Sequence, residues 1–102
     1  MSIGVVIRNG FVRRIDVRTG SNKGTAGTGG AIDAASDGET IVVVYRNGFA
    51  RRYDARTGSD RGSVGVSGVA GCGISGGVIM LSYGGKGARR YDARTGSDRG
   101  SA

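Results

Sequence analysis

Arginines recur at fixed spacing along this chain of 102 residues. A guanidinium carries a planar fork of N–H donors, which binds phosphate, sulfate or carboxylate groups bidentately. Guanidiniums that repeat along one surface therefore suit an anionic ligand. The candidate binding residues share an offset of 38 positions and form two series, Arg18, Arg56 and Arg94 in turns, and Arg13, Arg51 and Arg89 on strands.

A structural role competes with ligand binding for these arginines. Each arginine pair is followed two residues later by an aspartate, at Asp16, Asp54 and Asp92. A partly buried arginine needs a partner, so we expect Asp54 or Asp92 to pair with Arg52, Arg90 or an arginine of the neighbouring unit. Both roles stay open at this stage.

The residue types argue against catalysis. The chain has no histidine and a single cysteine, Cys72, so the usual sets of acid, base and nucleophile cannot be assembled. The acidic residues Asp33, Asp37 and Glu39 are too sparse for a calcium loop. We predict a non-enzymatic protein without a metal or cofactor.

Charge and hydropathy limit the possible partners and the location of the protein. Fifteen Lys and Arg against eight Asp and Glu give a formal charge of +7, which favours an anionic partner. No stretch approaches the roughly 20 apolar residues of a membrane span, and Met1 is not followed by the pattern of a signal peptide. We expect no membrane partner and a cytoplasmic or particle-associated location.

The 38-residue offset extends to the whole chain. It divides a single repeat domain, residues 1–102, into units 1–26, 27–64 and 65–102, and residues 50–63 are identical to residues 88–101. A period near 40 with several strands in each unit is typical of β-propeller blades.

The middle unit reads as four strands joined by tight turns. Residues 31–36, 40–45, 49–55 and 61–66 are the predicted strands, and TIVVVY at 40–45 is apolar on both faces, as in a buried strand. Asn47-Gly48 predicts a type I′ turn in which both residues are left-handed. The fold class is therefore all-β, with four-stranded antiparallel blades.

Residues 30–58, GAIDAASDGETIVVVYRNGFARRYDARTG, resemble a blade of the WD40 family, and DARTG is also similar to quinoprotein-type propeller repeats. Tyr53-Asp54 and Tyr91-Asp92 stand where WD40 blades place Trp-Asp, whereas the first unit has Ile15-Asp16. The resemblance implies a propeller in which Tyr53, Tyr91 and the aspartates 16, 54 and 92 form a structural repeat motif. The family's histidine and tryptophan are missing from this chain.

Three blades cannot close a ring, because propellers have about 4 to 8 blades. Two chains would supply six blades, so we favour a homodimer. The inner-strand segment occurs only twice, at residues 31–36 and 69–74, so each chain would lack one innermost strand. A trimer therefore stays an alternative to the dimer. The predicted function is self-assembly into a homo-oligomeric ring, with ligands at loop faces or the central channel. The alternatives are a polyanion- or glycan-binding, lectin-like protein and a designed or reconstructed repeat protein.

Overall fold

The protein is described by a computed structural model that places residues 3–102. In these residues, strands in chain order form three antiparallel sheets. The first sheet contains β1 (Ile3–Arg8), β2 (Phe11–Asp16) and β3 (Asn22–Ala26). The second contains β4 (Ala31–Ser36), β5 (Thr40–Tyr45), β6 (Ala50–Asp54) and β7 (Asp60–Val64). The third contains β8 (Gly71–Ser75), β9 (Val78–Ser82), β10 (Ala88–Asp92) and β11 (Asp98–Ser101), with a 3₁₀ turn at Gly84–Lys86.

The predicted all-β class is confirmed, and so are the strands of the middle unit. β4 and β5 have the predicted bounds, whereas β6 and β7 begin and end within two residues of theirs. Within residues 3–102 the first sheet contains no strand that corresponds to β4 and β8, as the sequence predicts. Residues 3–102 include no helix with the length and hydropathy to cross a membrane.

The sheets pack face to face, and two apolar clusters lie between them. Ile41, Val43 and Tyr45 point from β5 toward the first sheet, whereas Val42 and Val44 point toward the third. Because side chains alternate along a strand, a strand between two neighbouring sheets buries side chains on both faces and is therefore mostly apolar. This explains why TIVVVY is buried throughout.

The tetrapeptide Arg-Asn-Gly-Phe closes two hairpins in two different ways. Between β1 and β2, Arg8 lies opposite Phe11, and Asn9 (φ 53°) and Gly10 (φ 79°) form the two-residue turn. Between β5 and β6, the Gly48 N–H donates to the Tyr45 carbonyl (2.9 Å), so three residues form the turn. The predicted type I′ turn at Asn47-Gly48 is therefore wrong, because Gly48 is left-handed (φ 85°) and Asn47 is not.

The shorter turn moves β1 by one residue relative to the repeat. Val5 lies opposite Arg14, whereas Val42 lies opposite Arg52 and Met80 opposite Arg90. A one-residue shift turns every side chain of a strand to the other face. β1 thus directs Ile3 and Val5 to the second sheet and leaves Val6 48% exposed.

Candidate functional site

One buried arginine joins each sheet to the next, Arg14 from the first sheet and Arg52 from the second. Arg52 of β6 is 7% exposed, and its Nη1 donates to the carbonyl oxygens of Ala93 (3.3 Å) and Arg94 (2.8 Å) in the third sheet. Its Nη2 donates to the Arg61 carbonyl (2.7 Å) in its own sheet. Burial lowers the pKa of Arg52, but a guanidinium remains charged at any physiological pH. Its Nε is buried without a hydrogen-bond partner in residues 3–102.

Arg14 repeats this arrangement one sheet earlier. Its Nη1 donates to the carbonyl oxygens of Ala55 (3.3 Å) and Arg56 (2.8 Å) in the second sheet. Its Nε donates to Thr25 (3.2 Å) and its Nη2 to the carbonyl of Lys23, both in the first sheet. The two interfaces between sheets thus use the same contact at an offset of 38 residues.

The carbonyls that accept hydrogen bonds from each arginine belong to a turn that is closed by hydrogen bonds of its own. In the second sheet the Asp54 carboxylate accepts from the N–H groups of Arg56 (2.8 Å) and Thr57 (3.1 Å), and the Gly58 N–H donates to the Asp54 carbonyl (2.7 Å). Gly58 is left-handed at φ 81° and lies against the Arg14 guanidinium, where a Cβ would be 3.1 Å from Nε. The glycine of DARTG therefore supplies both the turn and the space for the arginine.

The three repeat-motif aspartates shape these turns, but they do not pair with Arg52 or Arg90 as we expected. Asp54 forms its salt bridge with Arg61 (2.7 Å) and Asp92 forms the same bridge with Arg99 (2.7 Å), each within one sheet. Asp16 accepts from the Arg18 N–H (2.9 Å). The expected partner is wrong because the buried guanidinium reaches past its own sheet to main-chain carbonyls.

These contacts set the pKa of two carboxyls. The hydrogen bond from Arg99 and the N–H groups of Arg94 and Thr95 lower the pKa of Asp92 to about 2. Burial alone would raise the pKa of Asp54, but the equivalent hydrogen bonds from Arg61 and the turn outweigh burial and lower it.

The six arginines predicted to bind a ligand lie in three different environments. Arg51 and Arg89 form bidentate salt bridges with Asp60 and Asp98, at 3.0 and 3.1 Å in both cases. Arg13 has Asn22 where the other sheets have that aspartate. In contrast, Arg18, Arg56 and Arg94 lie exposed at the turns. Their side chains make no hydrogen bond within residues 3–102, so their predicted role in binding stays a prediction.

Tyr53 and Tyr91 each share a hydrogen bond with a second tyrosine. The hydroxyls of Tyr45 and Tyr53 are 2.6 Å apart, and those of Tyr83 and Tyr91 are 2.8 Å apart. Burial, together with the neighbouring hydroxyl, raises the pKa of Tyr53 and raises that of Tyr91 to about 12. Sequence reasoning missed these pairs, although both hairpins carry two tyrosines eight residues apart, Tyr45 at the turn and Tyr53 toward the open end in the second sheet.

Two open pockets recur at the same offset beside the tyrosines. The larger has a volume of about 470 Å³ and is lined in part by Tyr45, Phe49, Arg51 and Ser63. The equivalent pocket of the third sheet has about 280 Å³ and includes Tyr83, Arg89 and Ser101. Arg51 and Arg89 are already paired with Asp60 and Asp98, and the larger pocket is also lined by Arg46.

The remaining reactive groups form no recognisable centre. Burial and the nearby Asp33 raise the pKa of the Cys72 thiol to about 12, which keeps it protonated. In residues 3–102 no three His, Cys, Asp or Glu side chains cluster as metal ligands would.

Comparison with known proteins finds similar structures but no match among protein-family models or curated sequences. The chain aligns over 99% of its length with BamB from Moraxella catarrhalis (TM-score 0.76, 18% identity, 33% of that chain). It aligns over its whole length with two computationally designed proteins, Ika8 (TM-score 0.72, 17% identity, 36% of that chain) and Ika4 (TM-score 0.74, 15% identity, 67% of that chain). BamB and Ika8 are propeller-type proteins, and this chain spans about one third of the length of each. The three sheets are therefore β-propeller-like blades.

Proposed function

We propose that this chain is a non-enzymatic propeller module whose property is to complete a ring of blades by associating with copies of itself. Each sheet is a blade, and a blade is stable when both of its faces are covered. Two copies would form a six-bladed ring, and a trimer remains the alternative. Within the propeller superfamily, a WD40-type origin of the blades, and a cytoplasmic or particle-associated location, are part of this proposal.

The observation that carries the proposal is the contrast between inner and outer faces. Val42 and Ala55, at interfaces between sheets, are fully buried. Their counterparts on the outer faces of the third and first sheets are Met80, 41% exposed, and Val17, 59% exposed. Apolar side chains of this size on two flat faces favour coverage by another protein surface.

Size-exclusion chromatography with light scattering tests the proposal directly. We expect a mass of two or three times the 10.3 kDa of one chain. A folded species with the mass of one chain, at every concentration measured, would contradict self-assembly.

A second candidate function is binding of a polyanion or glycan. Its support is the net charge of +7 together with the exposed side chains of Arg18, Arg56 and Arg94, which a ring would repeat around its axis. Retention on heparin at physiological salt, lost when these three arginines are replaced by glutamine, would support this role. Elution without retention would remove it.

The third alternative, a designed or reconstructed repeat protein, is supported by two of the similar structures, which are themselves computationally designed. It concerns the origin of the chain, and it is compatible with self-assembly.

A further inference from the structure

The turn of the first sheet has the form of the two turns that receive an arginine. The Gly20 N–H donates to the Asp16 carbonyl (2.7 Å), the Arg18 N–H donates to the Asp16 carboxylate (2.9 Å), and Gly20 is left-handed at φ 77°. Gly58 and Gly96, at the same place in the other turns, lie against Arg14 and Arg52. A Cβ at Gly20, by contrast, would meet nothing within 4 Å. This turn has the same form as the two receiving turns, but no arginine of residues 3–102 lies against it.

Arg90 of β10 is the matching donor at the other end of the stack. Its Nη2 donates to the Arg99 carbonyl (3.0 Å), just as Arg52 Nη2 donates to Arg61. Its Nη1 makes no hydrogen bond within residues 3–102, and the side chain is exposed. Arg90 thus keeps the contact within its own sheet that Arg52 makes, while the nitrogen that Arg52 uses to bind the next sheet is without a partner in residues 3–102.

Donor and receptor cannot meet within one chain, because the second sheet lies between the first and the third. We propose that the outer face of the third sheet binds the first sheet of a second copy, with Arg90 Nη1 donating to the carbonyl oxygens of Val17 and Arg18 of that copy. This inference rests on the proposed function and specifies its contact. It makes the interface head to tail, and repeated contacts of this kind generate a ring where the rotation between copies closes.

The side chains around Arg90 fit the same partner. Met80 and Ala88 share its face, and their counterparts in the second sheet, Val42 and Ala50, are buried against the third sheet. On the receiving side Val17 takes the place of Ala55, which is fully buried at the existing interface. Around Arg90 and the turn, the new contact therefore repeats the contact that the chain already builds twice.

Complementation between two variants tests the contact. Arg90→Ala removes the donor from the third sheet, and Val17→Arg places a bulky like charge at the receptor on the first. Both side chains are exposed, so circular dichroism should show that each variant folds. We expect each single variant to self-associate at least about tenfold more weakly than the unmodified chain, because charged hydrogen bonds are lost or opposed.

An equimolar mixture of the two variants should form a two-chain species at the affinity of one unmodified interface, since one chain retains its first sheet and the other its third. Arg46→Ala, at an exposed arginine in the hairpin turn of the second sheet and outside the contact, is the control and should assemble normally. If Val17→Arg assembles like the unmodified chain, or the mixture stays monomeric, the head-to-tail contact is wrong while self-assembly stands. If the unmodified chain is itself monomeric, the proposed function fails, and this contact fails with it.

Discussion

The guanidinium of Arg52 in the second sheet lies 2.8 Å from the carbonyl oxygen of Arg94 in the third. A charge-assisted hydrogen bond to a main-chain carbonyl joins two blades without a buried carboxylate. The contact depends on a turn whose shape is fixed by Asp92 and Gly96. Blades of this kind are thus connected by a repeated arginine as well as by apolar packing.

Replacement of Arg52 by alanine should lower the free energy of unfolding by about 2 to 3 kcal/mol, because the buried carbonyls of Ala93 and Arg94 lose their donor. Arg94→Ala is the matched control, since that side chain is exposed, and it should change the free energy of unfolding by less than about 0.5 kcal/mol. Urea titrations followed by circular dichroism measure both. Equal midpoints for the two variants would show that the contact between blades adds no stability.

The tyrosine pair should behave as one unit. Tyr45→Phe or Tyr53→Phe alone leaves a buried hydroxyl without its partner and should cost about 1 to 2 kcal/mol. The double variant should cost less than the sum of the two single changes, which a double-mutant cycle in urea measures. Additive losses would mean that the 2.6 Å contact contributes no coupling.

Alkaline pH should destabilise the protein through Tyr91. Its pKa is raised to about 12, above the value near 10 of an unfolded tyrosine. Between these values the unfolded chain loses a proton that the folded chain keeps, so stability is complete below about pH 10 and falls as the pH rises toward 12. Tyr91→Phe should reduce this dependence in pH-resolved denaturation. An unchanged slope would assign alkaline unfolding to other groups.

Acid should destabilise the protein through Asp92, whose pKa is shifted in the opposite direction to that of Tyr91. Its pKa of about 2 lies below the usual 3.8, so its stabilising effect is present above pH 4 and is lost as the pH falls toward 2. Asp92→Asn retains an acceptor for the turn N–H groups but removes the charge that binds Arg99. The variant should show a weaker loss of stability in acid. A pH profile identical to that of the unmodified chain would contradict this assignment.

Two glycines with left-handed backbone conformations allow the cost of backbone strain to be distinguished from the cost of steric overlap. Gly27 (φ 75°) and Gly30 (φ 89°) both disfavour alanine, but a Cβ at Gly27 would overlap the hydroxyls of Tyr45 and Tyr53, whereas a Cβ at Gly30 would meet nothing within 4 Å. We expect Gly30→Ala to cost about 1 kcal/mol and Gly27→Ala at least about 1 kcal/mol more. Thermal unfolding compares the two. Equal losses would place the tyrosine pair elsewhere.

The strands were predictable because hydrophobic pattern and turn residues report local geometry. β5 shows this best, since burial on both faces favours a continuous apolar run such as the one from Ile41 to Val44. The two forms of Arg-Asn-Gly-Phe were not predictable. The same four residues fit either turn, and the choice depends on the partners of the flanking strands. The flanking strands also differ, since Tyr45 shares a hydrogen bond with Tyr53, whereas the corresponding Ile7 and Ile15 cannot form one.

The candidate site was only partly visible in the sequence. The spacing of the arginines was informative, and it identified the turns that carry Arg18, Arg56 and Arg94. It could not show that Arg14 and Arg52 cross to the next sheet, because a side-chain donor to a main-chain carbonyl leaves no partner residue type in the sequence. The charge pattern therefore suggested carboxylates where the structure uses carbonyls.

Small-angle X-ray scattering tests the central claim, ring closure by self-association, most directly. A single chain is an elongated slab of 38 × 27 × 19 Å with a Cα radius of gyration of 12.5 Å. Self-association predicts a clearly larger radius of gyration and the distance distribution of a disc, with a mass of two or three chains. A radius near 12.5 Å with the mass of one chain, at all concentrations, would contradict it.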